Sequence, residues 1–79
     1  MTDYIIKNYW GDEVATIKGK PEMAYAVVLY KGGMSRGTEV YLYDNEDKAL
    51  RSMNYRLRKA DTKGIACAGQ VLPTIEVTA

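Results

Sequence analysis

One segment sets the folding options of this chain. DNEDKALRSMNYRLRKADTKG, Asp44 to Gly64, carries helical periodicity, whereas the rest of the sequence is broken into short β-rich runs. Asp44 or Asn45 is a natural N-cap, and Glu46 and Asp47 complement the positive end of the helix dipole. Gly64 stands where a helix-terminating C′ glycine belongs. At about 100° per residue, Leu50, Met53, Leu57 and Ala60 fall on one narrow apolar stripe. That stripe is the expected seam to the body of the protein. Lys48, Arg51, Tyr55 and Arg58 fall nearly opposite, as a cationic stripe with one aromatic in it. A single helix cannot enclose a core, so the remaining runs must supply a sheet for it to lie on.

Those runs read as strands. DYIIKNYW, Asp3 to Trp10, is rich in β-branched and aromatic residues and closes at Gly11-Asp12. EVATIK, Glu13 to Lys18, alternates polar and apolar residues and stops at Gly19-Lys20-Pro21. Met23 to Lys31 is apolar on both faces, as a central strand requires. TEVYLY, Thr38 to Tyr43, places Val40 and Leu42 on one face and Glu39, Tyr41 and Tyr43 on the other. After the helix, Ile65 to Ala68 and Val71 to Val77 supply a last strand or two, with Pro73 predicting a sheet edge or an irregular stretch. The expectation is a single α+β domain over residues 1–79. It combines a four- to five-stranded antiparallel sheet, laid out as a meander, with one amphipathic helix packed on one face, in the order β-β-β-β-α-β.

Composition narrows the functions available. The chain of 79 residues has no His, one Cys and no Phe, but seven Tyr. Without His, the commonest general base and metal ligand is missing, and Cys67 has no imidazole to pair with. The single Cys also provides no internal disulfide, which favours a reducing compartment. Cys67 lies between two alanines and reads as a small hydrophobe. The start, MTDYIIKNYW, lacks the pattern of a signal peptide, and the longest apolar run, Met23 to Tyr30, is too short to span a bilayer. No cofactor, metal ligand set or catalytic residue is expected, and a cytoplasmic, soluble protein is. A domain this small buries only about 60–65% of its unfolded surface, which favours surface functions over enclosed sites and leaves homodimerisation open.

Charge is segregated. Residues 48–63 hold six basic side chains against one acid, while residues 1–47 hold five basic and eight acidic ones. A formal net charge of +1 therefore conceals a basic helix on an acidic body. Arg and Lys neutralise phosphates or carboxylates, and an intervening Tyr can stack or fill a pocket. Large aromatics and Arg also dominate binding hot spots. The expected contacts are Arg36, Tyr41, Tyr43, Lys48, Arg51, Tyr55 and Arg58. The glycine-rich loop YKGGMSRG leads into a strand rather than a helix, so it reads as a hairpin loop with Met34 and Arg36 at its tip, not as a phosphate-binding loop.

GTEVYLYDNEDKALRSMNYRL, Gly37 to Leu57, is similar in layout to the strand, acidic cap and helix of small phage anti-CRISPR-type inhibitor proteins. That resemblance covers about a quarter of the chain. It implies stoichiometric binding to a larger host protein or nucleoprotein complex, without catalysis and in the host cytoplasm. A small nucleic-acid-binding module using the basic helix face is the alternative.

Overall fold

Asn8 initiates the first reversal of the chain. Its backbone N–H donates to Asp12 O, while its side-chain oxygen accepts from the N–H groups of Trp10 and Asp12 at 3.0 Å each. Gly11, at φ 85°, supplies the left-handed conformation that closes the turn. The computed structural model describes residues 1–32 and 37–77, and in it this turn joins β1 (Thr2–Lys7) to β2 (Glu13–Gly19). β3 (Tyr25–Lys31) and β4 (Gly37–Tyr43) form a second antiparallel pair. Helix α1 (Glu46–Thr62) and the long strand β5 (Cys67–Val77) complete the chain. This is the expected α+β architecture and element order. Arg36 and Met34 lie outside the described residues.

The strand order is β2-β1-β5-β3-β4, with every neighbouring pair antiparallel. The expected meander is therefore corrected, because the last strand inserts between the two hairpins. Residues 67–73 of β5 pair with β3, and residues 74–77 pair with β1. The sheet edge or irregular stretch expected at Pro73 is corrected too, since Pro73 sits within the central strand. The register explains how the sheet tolerates it. Thr74 N–H donates to Ala24 O, so Pro73 opposite Tyr25 is a non-hydrogen-bonded position whose nitrogen points away from β3. On its other side the pairing with β1 begins only at Thr74.

β3 is buried on both faces. Ala26 and Val28 join Tyr4, Ile6 and Leu72 in one core, with Val14, Ile17, Val40 and Leu42 around them. Val27 and Leu29 join Ala49 in the other, beneath α1. The first core needs no helix because the sheet curls over it. The edge strands β2 and β4 approach where Gly19 meets Leu42, so closely that a Cβ at Gly19 would lie 2.5 Å from Leu42 Cδ1. Tyr4 secures the same end: its buried hydroxyl donates to Lys20 O at 2.6 Å and accepts from Met23 N–H at 3.1 Å. The turn between β2 and β3, with Glu22 at φ 66°, is thereby tied to the core.

Helix α1 lies on the tyrosine face of β4, not on the Val40–Leu42 face. Its buried residues are Ala49 and Ala60, with Met53 and Leu57 partly buried, whereas Leu50 is 37% exposed. The seam is thus turned from the expected stripe toward Ala49, Ser52, Met53 and Arg56. Alanine lets the helix approach closely, and Gly69 on β5 extends that approach. A Cβ at Gly69 would lie 2.9 Å from Met53 Cγ and 3.1 Å from Leu29 Cδ2. Gly69→Ala is expected to cost about 1–3 kcal/mol through overpacking. In a Met53→Ala background the same change should cost distinctly less, as read by urea unfolding of the four chains. Strictly additive effects would contradict this contact.

Candidate functional site

The helix is well terminated, which holds its side chains in a defined array. Asn45 Oδ1 accepts from Lys48 N–H at 2.9 Å, an N-cap followed by Glu46 and Asp47. At the other end Gly64 adopts φ 71°, Gly64 N–H donates to Asp61 O, and Ile65 N–H donates to Ala60 O. That pair of bonds is the Schellman arrangement. Between these caps Lys48, Arg51, Tyr55 and Arg58 all stand exposed on the outer side, Tyr55 at 57%. Lys48 pairs with Asp44 at 3.2 Å, and the Lys59 ammonium lies 5.2 Å from the centre of the Tyr55 ring. The cationic outer stripe is therefore present as expected.

Tyr41 and Tyr43 lie elsewhere. The expectation that they point outward is corrected, because the helix covers their face and both are half-buried in the seam. The Tyr43 hydroxyl bonds with Ser52 Oγ. The Tyr41 ring carries the Arg56 guanidinium at 3.7 Å from its centroid, and Arg56 Nε donates to Ser52 Oγ at 3.2 Å. The Tyr41 hydroxyl donates to Glu39 Oε2 at 2.6 Å, and Lys31 Nζ donates to Glu39 Oε1 at 2.5 Å. Lys31, Glu39, Tyr41 and Arg56 thus form a connected polar strip between β3, β4 and α1. The Lys31 ammonium, and then the Tyr41 hydroxyl, hold the Glu39 carboxyl below the usual carboxylate range. The same contact with Glu39 raises both Lys31 and Tyr41.

Two further features escape the sequence pattern. Tyr9 and Trp10, at the tip of the β1–β2 hairpin, are 75% and 82% exposed. Adjacent strand residues face opposite sides, so Tyr-Trp directly before Gly-Asp could not place both rings in one core. That was the available signal. Next to this tip lies a groove of about 530 Å³, walled by Tyr9, Tyr25, Leu50, Met53, Val71 and Pro73, with Glu46 and Gln70 as its polar wall. On the same face of β5 as Val71 and Pro73, Ile75 and Val77 are also exposed, where the strand has left β3 for β1. Aromatic tip, apolar groove and the first turns of the helix bearing Lys48 and Arg51 are thus neighbours. Among the described residues, no helix is long and apolar enough to cross a membrane.

The Glu39 contacts give a pH dependence with a defined sign. A carboxyl depressed in the folded state adds stability that is complete above its unfolded value, about 4.3, and lost as pH falls through the folded value. Wild type should therefore exceed Glu39→Gln in urea resistance at neutral pH, and the gap should close as pH is lowered into the acid range. A gap that is the same in acid as at neutrality would contradict the assignment. No protein-family model, curated protein or solved structure matches this chain.

Proposed function

We propose that this chain is a non-enzymatic interaction protein. It binds a larger protein or nucleoprotein partner through the aromatic hairpin tip, the adjoining groove and the cationic side of α1. The observation that carries this reading is the exposure of Tyr9 and Trp10 on an ordered turn. Large exposed apolar groups cost a monomer solubility and mark interaction sites when they cluster. Here the Asn8 side chain orders the loop beforehand, so little conformational entropy remains to be lost on docking. Trp and Tyr anchors of this kind typically contribute about 2 kcal/mol or more each. Lys48 and Arg51 lie with Glu46 and Asp47 on the helix turns next to the groove, and the exposed cations continue along α1 to Arg58, giving a charged rim that sets the register of a partner. The resemblance of Gly37 to Leu57 to small phage inhibitors points to a host defence complex as the partner, bound stoichiometrically in the cytoplasm.

One observation favours a second reading, a nucleic-acid-binding module. Arg51, Arg58 and Lys59 flank Tyr55 on a solvent-facing helix side, an arrangement suited to phosphates and an exposed base. The two readings separate in a simple experiment. Immobilised wild type should retain its partner from a lysate of the source cells, while Tyr9→Ala with Trp10→Ala should bind that protein at least about 30-fold more weakly with unchanged circular dichroism. Arg51→Glu with Arg58→Glu should weaken binding further and reduce its salt dependence. Equal retention by the aromatic variant would remove the hairpin from the interface. Micromolar binding of labelled DNA or RNA with a steep salt slope, indifferent to Trp10, would favour the second reading instead.

A further inference from the structure

A second site lies at the other end of the helix from the hairpin tip and shares only Lys59 with the basic outer face. A cleft of about 320 Å³ opens between the C-terminal half of α1, the paired ends of β3 and β4, and the start of β5. Leu29, Ala60 and Ile65 contribute apolar wall, and Lys31, Arg56, Lys59 and Lys63 bring four cations to it. Among the described residues Glu39 is the one carboxylate lining the cleft, and it is already engaged by Lys31 and the Tyr41 hydroxyl. Arg56, Lys59 and Lys63 have no carboxylate partner within ion-pair distance among the described residues, where the ion pairs are Lys31–Glu39 and Lys48–Asp44.

A helix C-terminus favours cations in its last turn, which accounts for Lys59 and Lys63 taken singly. It does not account for Arg56. That side chain turns inward, is half-buried, and stands over the Tyr41 ring at 3.7 Å from its centroid, with Nε held by Ser52. Among the described residues its two terminal nitrogens have no acceptor. A guanidinium held by these two contacts, with its outer fork unused, is pre-organised for a bidentate anion. We infer that this cleft binds a small phosphate monoester, with Arg56 gripping two phosphate oxygens and Lys59 and Lys63 neutralising the remaining charge. A dianion matches Arg56, Lys59 and Lys63, which outnumber the Glu39 carboxylate, better than a singly charged carboxylate does, and its tetrahedral oxygens can accept from several of these helix donors at once. The volume lies at the lower end for ligand sites, enough for a phosphate with a small organic group.

The test uses the full chain and follows the Arg56 Nε–Hε resonance and the Tyr41 ring signals during titrations. The probes are orthophosphate, phenyl phosphate and benzoate. Saturable shifts at Arg56 with both phosphates, and none with benzoate at equal concentration, are expected. Tighter binding of phenyl phosphate than orthophosphate assigns an organic monoester as the ligand. Equal binding assigns the free ion and overturns the monoester. Binding of phenyl phosphate should strengthen as pH rises from about 5 to about 7, because the second ionisation of a phosphate monoester lies near 6. Arg56→Gln should weaken binding at least about tenfold, since a charge-assisted hydrogen bond is worth about 1.5–3 kcal/mol. Lys63→Gln, an exposed position whose replacement leaves the seam untouched, should weaken it severalfold. Arg51→Glu with Arg58→Glu, on the outer stripe, should leave it unchanged. Benzoate binding as strong as phenyl phosphate, or a loss with the outer-stripe variant equal to that with Lys63→Gln, would overturn the site.

Discussion

The structure depends on one strand pairing on both sides. The hairpins β1–β2 and β3–β4 are not neighbours in the sheet, and their ladder hydrogen bonds meet only through β5. A lone two-stranded hairpin is marginal in water, whereas three or more strands with an apolar face can persist. Until residues 67–77 are in place, the chain therefore holds two weak hairpins and a helix. Once they are in place it is one five-stranded sheet. Pro73 and Gly69, which read as strand-weakening residues, mark where this strand changes partner and where the helix comes nearest.

That central strand also decides what the surface looks like. Because the sheet curls until Gly19 meets Leu42, its concave face closes on itself, and only the opposite face is left for the helix. α1 packs on β3, β4 and β5, so the outer face of the β1 wing is left less covered. Ile75 and Val77 are exposed there, and Tyr9 and Trp10 project from the end of the same wing. The helix, lying on the tyrosine face, turns Arg56 inward onto Tyr41 and leaves Lys48, Arg51, Tyr55 and Arg58 outside. Two chemically different surfaces result, an apolar tip with a charged rim and a cationic cleft, with the helix between them.

Much of the fold is legible in the chain itself, because strands, turns and caps are local. Asn45, Gly64 and Gly11 each occupy the position their chemistry predicts. The two-faced burial of β3 follows from its uninterrupted apolar run. Strand order is not local. Nothing in VLPTIEV indicates that it will lie between β1 and β3, and Pro73 argues for an edge until the register shows its nitrogen facing no ladder partner. The helix seam was legible to within one residue position. Periodicity places Leu50 at the centre of the stripe, but the approach permitted by Ala49 and Gly69 rotates it to the margin.

The outer basic stripe survives that rotation because it lies opposite the seam, where a shift of one position changes little. Tyr41 and Tyr43 do not, because alternation indicates which residues share a face and not which face a helix will cover. The sequence by itself determined the elements, their ends, the segregation of charge and the exposed cations of α1. These follow from backbone propensity and periodicity within one element. Only the tertiary structure decided that β5 is central, that the tyrosine face is the helix seat, and that Arg56 meets Tyr41 beside Lys31 and Lys63. Each of those outcomes depends on groups far apart in the chain competing for the same buried surface, and the curl of the sheet settles the competition.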